Sequence, residues 1–379
     1  MDKNIQCPVC HAEITEQRHL PINDAITSDL RYVDHKVINR FCDNCGYIFV
    51  DKSVYLNLEE HYKEDYNKNI SQHSSEPVIM EENQIISHSA KRVELFSKYF
   101  EKESNRKFFD IGAGKGSFIE EMYKRYPNYI YYALEPGVAF NILEKKAFLR
   151  NYYNDFFCAD NFGNEQFDFI SIIEVLEHVS EPKFFLLEIC EIMNEQSLLL
   201  IEIPNFQVNM TDLIVIDHLS KFTPESIKNL FKVSGLAVVF ENIPETSVPM
   251  QFIVKKANTS EIEQCEGKKY IDNSLNYIKK SISEAQYLQN HNIAVYGQSP
   301  ILSYLYDAGY FSKNNLKIII DDNIYFNNKR FKREIPIVSF DQFLSFNKRG
   351  EIDKIFLAMS RCYHSQVLKK LNGFEVFGR

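Results

Sequence analysis

The chain has 379 residues, 45% hydrophobic and 25% charged, with 43 basic against 52 acidic side chains and a net charge of −9 at pH 7. Such a length allows two or three domains in an ordinary globular balance. The negative charge argues against nucleic acid as main partner, because a phosphate backbone is bound through a basic surface. No apolar run approaches the ~20 residues that span a bilayer, and the first residues, MDKNIQCPVC, form no signal-peptide core, so a cytoplasmic location is expected.

Residues 7–10 read CPVC and residues 42–45 read CDNC. Two such knuckles can close four thiolates, Cys7, Cys10, Cys42 and Cys45, around one tetrahedral ion, and zinc suits a reducing compartment. Four thiolates leave no open coordination position, so the expected role is structural, and the metal would supply much of the stability of so small a module. Four free thiols or a redox pair is the alternative. Cys158, Cys190, Cys265 and Cys362 fall singly in apolar surroundings and read as reduced core residues. Lys36 to Phe41 is predicted as a strand of a small ribbon. In the polar stretch 51–82 a helix is expected to carry Tyr62 and Tyr66 on one face, either as a lid over the site or as a helix packed on the body.

Apolar positions from Ile85 to Phe100 predict an amphipathic helix. It leads into FFDIGAGKGSF, residues 108–118: a strand, then Asp110, then Gly112, Gly114 and Gly116, then a helix from Phe118 to Tyr126. Glycine lets the backbone turn sharply and approach a ligand, and the helix aims its first N–H groups at the turn. The next apolar run, Tyr129 to Leu134, ends in Glu135-Pro136-Gly137. A carboxylate at the tip of a second strand can accept from both hydroxyls of a ribose. A glycine-rich loop alone fits NAD, FAD or S-adenosylmethionine (SAM). The acid at Asp110 suits the cationic sulfonium and amino end of SAM and would repel a pyrophosphate.

Strands are predicted at 107–111, 129–134, 153–158, 167–173, 197–203, 236–241 and 249–255, alternating with helices. This alternation means a mostly parallel sheet with ligands beyond the carboxyl ends of the strands. Asp160 and Asn161, after the third strand, are candidates for the adenine amino group and ring. Glu174 and His178 follow the fourth strand; four apart, they are expected on one face of a helical turn beside the sulfonium. Asp217 and His218 precede Thr223-Pro224, a helix start. A histidine with a neighbouring carboxylate on a loop over the site is the candidate general base. Ser260 to Gln289 is predicted helical, and a second, smaller α/β unit follows. Its loop, YGQSP, has one glycine and is no dinucleotide fingerprint.

The order of these motifs is distinctive: paired knuckles, Asp110-x-Gly112-x-Gly114-x-Gly116, Glu135, Glu174-Val-Leu-Glu-His178-Val, IEIPN and Asp217-His218-Leu-Ser-x-Phe222. Over essentially the whole chain it resembles the class I SAM-dependent methyltransferases that C-methylate nucleotide-linked 4-keto-deoxysugars. The resemblance implies an α/β fold: a zinc-binding module (1–50), a linker or lid helix (51–84), a Rossmann-like class I methyltransferase core (85–258), a connecting helix (259–290) and a second, smaller Rossmann-like domain (291–379). It implies SAM as methyl donor and S-adenosylhomocysteine (SAH) as product, held by Asp110, Gly112, Gly114, Gly116, Glu135, Pro136, Asp160, Asn161 and Glu174. It also implies structural Zn2+ and a small-molecule acceptor such as a nucleotide sugar; between monomer and homodimer the sequence does not choose. His218 falls where that family has the base that removes the C3 proton, with Asp217, His178 and Glu174 completing the acceptor side. Where the family has a Tyr-His-Glu-His run this chain has Val215-Ile216-Asp217-His218, and Glu174 stands in place of an Asn. O- or N-methylation of a related acceptor therefore stays open, as does a non-catalytic SAM-binding scaffold. A dinucleotide oxidoreductase is disfavoured by Asp110.

Overall fold

The architecture is that of a computed structural model. It describes residues 5–379 except 15–16, 21–23, 55–62, 64–77, 82–83, 102–104, 246–247, 259–260, 266, 324–325 and 327–328. The expected helix with Tyr62 and Tyr66 lies outside the described residues.

The N-terminal module is a small antiparallel sheet of β1 (Gln17–His19), β2 (Ile38–Phe41) and β3 (Ile48–Val50). The predicted strand ending at Phe41 is present, two residues shorter at its start. A hairpin of Ile5–Gln6 with Glu13–Ile14 carries the first knuckle.

Next comes α1 (His88–Phe96). It begins later than expected because Gln84–Ser87 is extended and Ser87 caps the helix, its hydroxyl accepting from the Ala90 N–H. The core strands follow as β4 (Lys107–Ile111), β5 (Ile130–Leu134), β6 (Leu149–Tyr153), β7 (Phe167–Ile173) and β8 (Met193–Pro204). α2 (Ser117–Arg125) and α3 (Pro182–Glu191) lie between them. Two-residue β9 (Ser220–Lys221), α4 (Pro224–Val233), β10 (Leu236–Asn242) and β11 (Pro249–Lys256) close the unit. The seven strands run in the order β6-β5-β4-β7-β8-β11-β10, with β11 antiparallel to both neighbours. The central strands β4 and β5 are buried on both faces, as parallel strands between helices must be. β6 precedes its predicted place because it is an edge strand with mostly exposed side chains, which apolar patterning does not mark.

The long helix α5 (Gly267–Tyr287) leads to the second α/β unit. Its strands are β12 (Ile293–Tyr296), β13 (Leu316–Ile320), β14 (Arg330–Phe331), β15 (Ile335–Val338), β16 (Lys354–Leu357) and β17 (Val376–Phe377). They form a sheet ordered β14-β15-β13-β12-β16-β17, with α6 (Pro300–Asp307) after β12. No helix among the described residues is long and apolar enough to cross a membrane.

One apolar core ties the units together. Ile26, Phe41 and Ile48 of the N-terminal module pack with Phe206, Ile214 and Ile216, and these with Ile271 and Ile278 of α5 and Ile301 of α6. The segment 206–219 is thus gripped between both flanking units. β9 goes further and pairs antiparallel with β3, Ser220 opposite Phe49. Tyr47 Oη meets Ser220 Oγ, 173 residues along the chain.

Candidate active site

At the carboxyl end of β4 the glycine loop is tied to β5: Gly112 and Ala113 donate their N–H groups to Leu134 O at 2.8 and 2.9 Å. Gly112 and Gly114 both have positive φ, +74° and +55°, but for different reasons. A Cβ on Gly112 would stand 2.4 Å from Cγ2 of Val175, so this glycine lets the loop pack against the chain after β7. A Cβ on Gly114 would meet nothing within 4 Å. The open side of the loop is therefore at Gly114, where a ligand can lie on bare backbone. Gly116 caps α2 in the left-handed conformation.

Glu135 faces this opening. It is 6% exposed, and its carboxylate accepts from the N–H groups of Gly114 in the glycine loop at 2.8 Å and of Gly137 just past Pro136 at 2.7 Å. Burial raises its pKa, and those two N–H bonds pull the other way. Asp110, also buried, accepts from Ser171 Oγ at 2.6 Å. Burial pushes its carboxyl up to about 7, against the Ser171 bond and the charge of Arg92. Asp160 and Asn161 lie exposed on the single turn Ala159–Phe162. A buried acid at a strand tip beside open glycine backbone fits the ribose of SAM, and the loop fits its methionine end.

The acceptor side departs from expectation in two ways. Glu174 and His178 do not share a helical face: Glu174 has φ +55°, and only Leu176–His178 form a 3₁₀ turn. Glu174 is instead the strained end of β7, its N–H bonded to Glu202 O at 2.8 Å, its side chain 60% exposed and 3.8 Å from Arg92. Arg92, from α1, is a two-toothed clamp on buried Glu202, which Gln251 also donates to at 2.7 Å.

The partner of His218 is also not its neighbour. Its Nδ1 meets a carboxylate oxygen of Asp212 at 2.5 Å. Asp217 turns away, accepting at 2.7 Å from the Ser28 N–H and at 2.6 Å from the Ser28 hydroxyl of the N-terminal module. Its backbone carbonyl accepts from Nδ1 of His178 at 2.9 Å. The two imidazoles lie edge to face with centroids 4.8 Å apart. Burial, then the charge of His218, pushes His178 down to about 4. Burial alone would lower His218 too, but the charge and hydrogen bond of Asp212 outweigh it and hold the group up at about 9. Asp212 is lowered in turn, since His218 overcomes the cost of burial. Buried Lys221 donates to Val215 O at 2.9 Å and to His218 O, and burial pushes it down to about 8.

Asp212, Glu202, Arg92, Lys221 and Ser28 thus shape the site without having stood out in the sequence. Asp212 lies six residues before His218 on the same loop, a separation with no regular periodicity. Ser28 lies 189 positions from Asp217 and carries no local signal.

The four knuckle cysteines converge, with every sulfur within 4.8 Å of the others. Cys7 and Cys45 are 3.7 Å apart, Cys10 and Cys42 3.5 Å. A tetrahedron with metal–sulfur bonds of ~2.3 Å has edges of ~3.8 Å, so the set fits one thiolate-bound ion.

Residues 82–241 match the family described as a methyltransferase domain. This stretch is a methyltransferase domain. The match takes in the glycine loop, Glu135 and both imidazoles and stops before β11. Among solved structures, the mitomycin 7-O-methyltransferase MmcR overlaps this chain at 17% identity and a TM-score of 0.38, over 45% of this chain and 55% of its own. A SAM-dependent methyltransferase from Clostridium acetobutylicum ATCC 824 overlaps at 11% identity and a TM-score of 0.37, over 45% of this chain and 91% of its own. The plantazolicin methyltransferase BpumL, solved in complex with SAH, overlaps at 14% identity and 0.36, over 44% and 82%. The chain thus spans 55% of the length of the first of these. No curated protein matches the sequence.

Proposed function

We propose that the protein is a SAM-dependent methyltransferase that adds a methyl group to a carbon of a nucleotide-linked keto sugar, and that Cys7, Cys10, Cys42 and Cys45 hold a structural zinc ion. The observation that carries the reading is the imidazole pair, 4.8 Å apart and bonded to opposite kinds of partner. Two titratable groups whose surroundings drive them apart are suited to opposite proton-transfer roles. His178 donates an Nδ1–H hydrogen bond to the Asp217 carbonyl, which puts the ring's lone pair on Nε2, and burial keeps the ring neutral. It is the group to take the carbon-bound proton. His218, held charged by Asp212, suits the oxygen on which negative charge then gathers. These partners favour the reverse of the assignment by resemblance, in which His218 is the base.

When bound, SAM supplies an electrophilic methyl group. The chain supplies alignment: Gly114 leaves room for the donor, Glu135 is placed for its ribose, and Asp110, Asp160, Asn161 and Glu174 line the same end of the sheet. O- or N-methylation is the second reading. Val215 and Ile216, where the related family is polar, are buried in the apolar core and offer nothing to a sugar.

The test is turnover with SAM and a panel of nucleotide sugars with and without a 4-keto group, read by product mass and by loss of a carbon-bound hydrogen. A carbon-methylated keto sugar is expected. His178→Ala should then lower kcat ~100-fold or more with SAM affinity unchanged. A methyl group found only on oxygen or nitrogen would sink the C-methylation reading.

A further inference from the structure

Beside the two histidines lies an acid that no role above uses. Glu177 is 2% exposed, and its Oε2 meets no hydrogen-bond partner among the described residues. One of its carboxyl oxygens and a nitrogen of each imidazole, His178 and His218, lie within 4.8 Å of one another. A buried polar atom is normally paired, and an orphan in a site is a place for a ligand atom.

We propose that Glu177 is a catalytic residue: a neutral carboxylic acid whose O–H donates to the acceptor's carbonyl oxygen as that oxygen gains charge. The inference rests on the C-methylation reading and deepens it.

The surroundings decide the protonation state. The charged groups around Glu177 are His218, Glu174 and Asp212, with Asp217 and Lys221 on the same loop. His218 is bonded to Asp212, Asp217 to Ser28, and Lys221 to backbone carbonyls. Among these, neither cation is bonded to the Glu177 carboxyl. A buried carboxyl without a bonded cation keeps its proton. Burial pushes Glu177 up to about 8; the His218 charge opposes this and the Glu174 charge adds to it.

In the step, the acceptor C–H bond breaks and its proton passes to Nε2 of His178. The bonding pair becomes a C=C bond, and the carbonyl pair moves onto oxygen between Glu177 O–H and the ring N–H of His218. As the carbonyl re-forms, the C=C pair makes the new bond to the methyl carbon, and the methyl–sulfur pair departs with sulfur as SAH. A donor without a partner in the free enzyme bonds most strongly when the oxygen is charged, which is the condition for catalysis.

Glu177→Gln keeps a neutral donor, and Glu177→Ala removes it. With the carbon-methylated acceptor as readout, Gln should stay within about fivefold of wild-type kcat at pH 7, and Ala should fall about 100-fold or more. SAM affinity, measured separately, should be unchanged in both and shows that the variants fold. The pH profile is the readout that a packing role would not move. In wild type, kcat/KM should fall as pH rises through about 8, where Glu177 ionises. In Glu177→Gln that limb should shift up to about 9, where His218 loses its proton. Gln as impaired as Ala, or a limb that stays in place, overturns the proposal while carbon methylation by wild type stands. Dependence on added Mg2+ or Mn2+ that is lost in Glu177→Gln would make the carboxylate a metal ligand and also overturn it. A wild type that methylates only oxygen or nitrogen overturns both this and the reading it rests on.

Discussion

Gly112 and Gly114 are two residues apart in one motif and do different work, which makes them separable by mutation. Alanine at Gly114 keeps an open environment at φ +55°, so the fold should tolerate it at a cost of ~1–2 kcal/mol, while SAM affinity falls ~10-fold or more as the methyl group fills the cradle. Alanine at Gly112 drives a methyl group into Val175 at φ +74° and should lower thermal stability by ~2–4 kcal/mol. Calorimetry with and without SAM separates the two. Equal losses of affinity at equal stability would show that the open side of the loop is not where SAM lies. At this scale the motif was legible in the sequence, because glycine spacing and the acid of Glu135 follow from local backbone geometry. The pairing of His218 with Asp212 was not. Asp217 is the obvious neighbour, but adjacent side chains on an irregular loop diverge, and Asp217 is taken by Ser28. Glu174 was misplaced for a related reason: its left-handed backbone breaks the helical spacing that had put it on one face with His178.

Among elements, the loop that carries both imidazole partners is held from outside the core. β3 pairs with β9 just after His218, Ile216 donates its N–H to Ile26 O at 3.0 Å, and Ser28 satisfies both oxygens of Asp217. The N-terminal module thus braces the loop that the proposed reading puts on the acceptor side. Ser28→Ala removes one bond to a buried carboxylate, worth ~1.5–3 kcal/mol. Since Asp217 orients His178, the acceptor KM should rise and kcat fall, by ~10-fold together, with the SAM Kd unchanged. Ser28→Thr should restore most of the activity. A loss of SAM affinity in Ser28→Ala, or no change in either substrate, would remove Ser28 from this role. The strands of the core were legible in the sequence to within a few residues, except for edge strand β6, whose exposed side chains give no apolar signal. The long-range pairing of β9 with β3 was not legible. A two-residue strand has no periodicity, and its partner is a module away.

For the whole molecule, the fourfold thiolate set should govern the acceptor side without taking part in chemistry. Stripping the ion proposed for these thiolates with a thiol reagent and chelator should raise amide exchange in 26–50 and 206–221, which share one core, while β4 and β5 stay protected. Turnover should drop with that order. Reloading with Cd2+, a poor mimic of zinc as a Lewis acid but one that thiolates bind well, should return most of it. Reloaded protein that is ordered yet inactive would mean that the ion does more than brace the fold. The succession of four-cysteine module, core and second α/β unit could be read from motif order and from alternating strands and helices. That these units converge on segment 206–219 could not, because it depends on apolar residues far apart in sequence meeting in one cluster.

The β3–β9 pairing also bears on how the chain is made. During synthesis β3 emerges long before its partner, and Tyr47 waits for a serine 173 residues behind it. Until then the newborn module must keep an unpaired edge and a half-built apolar face in water, stabilised chiefly by whatever its thiolates hold. Early metal capture would therefore protect the nascent chain from sticking to its neighbours on the same messenger, well before there is any site to brace. A chain starved of metal during translation should be lost to aggregation in greater proportion than a finished one from which the metal is later withdrawn.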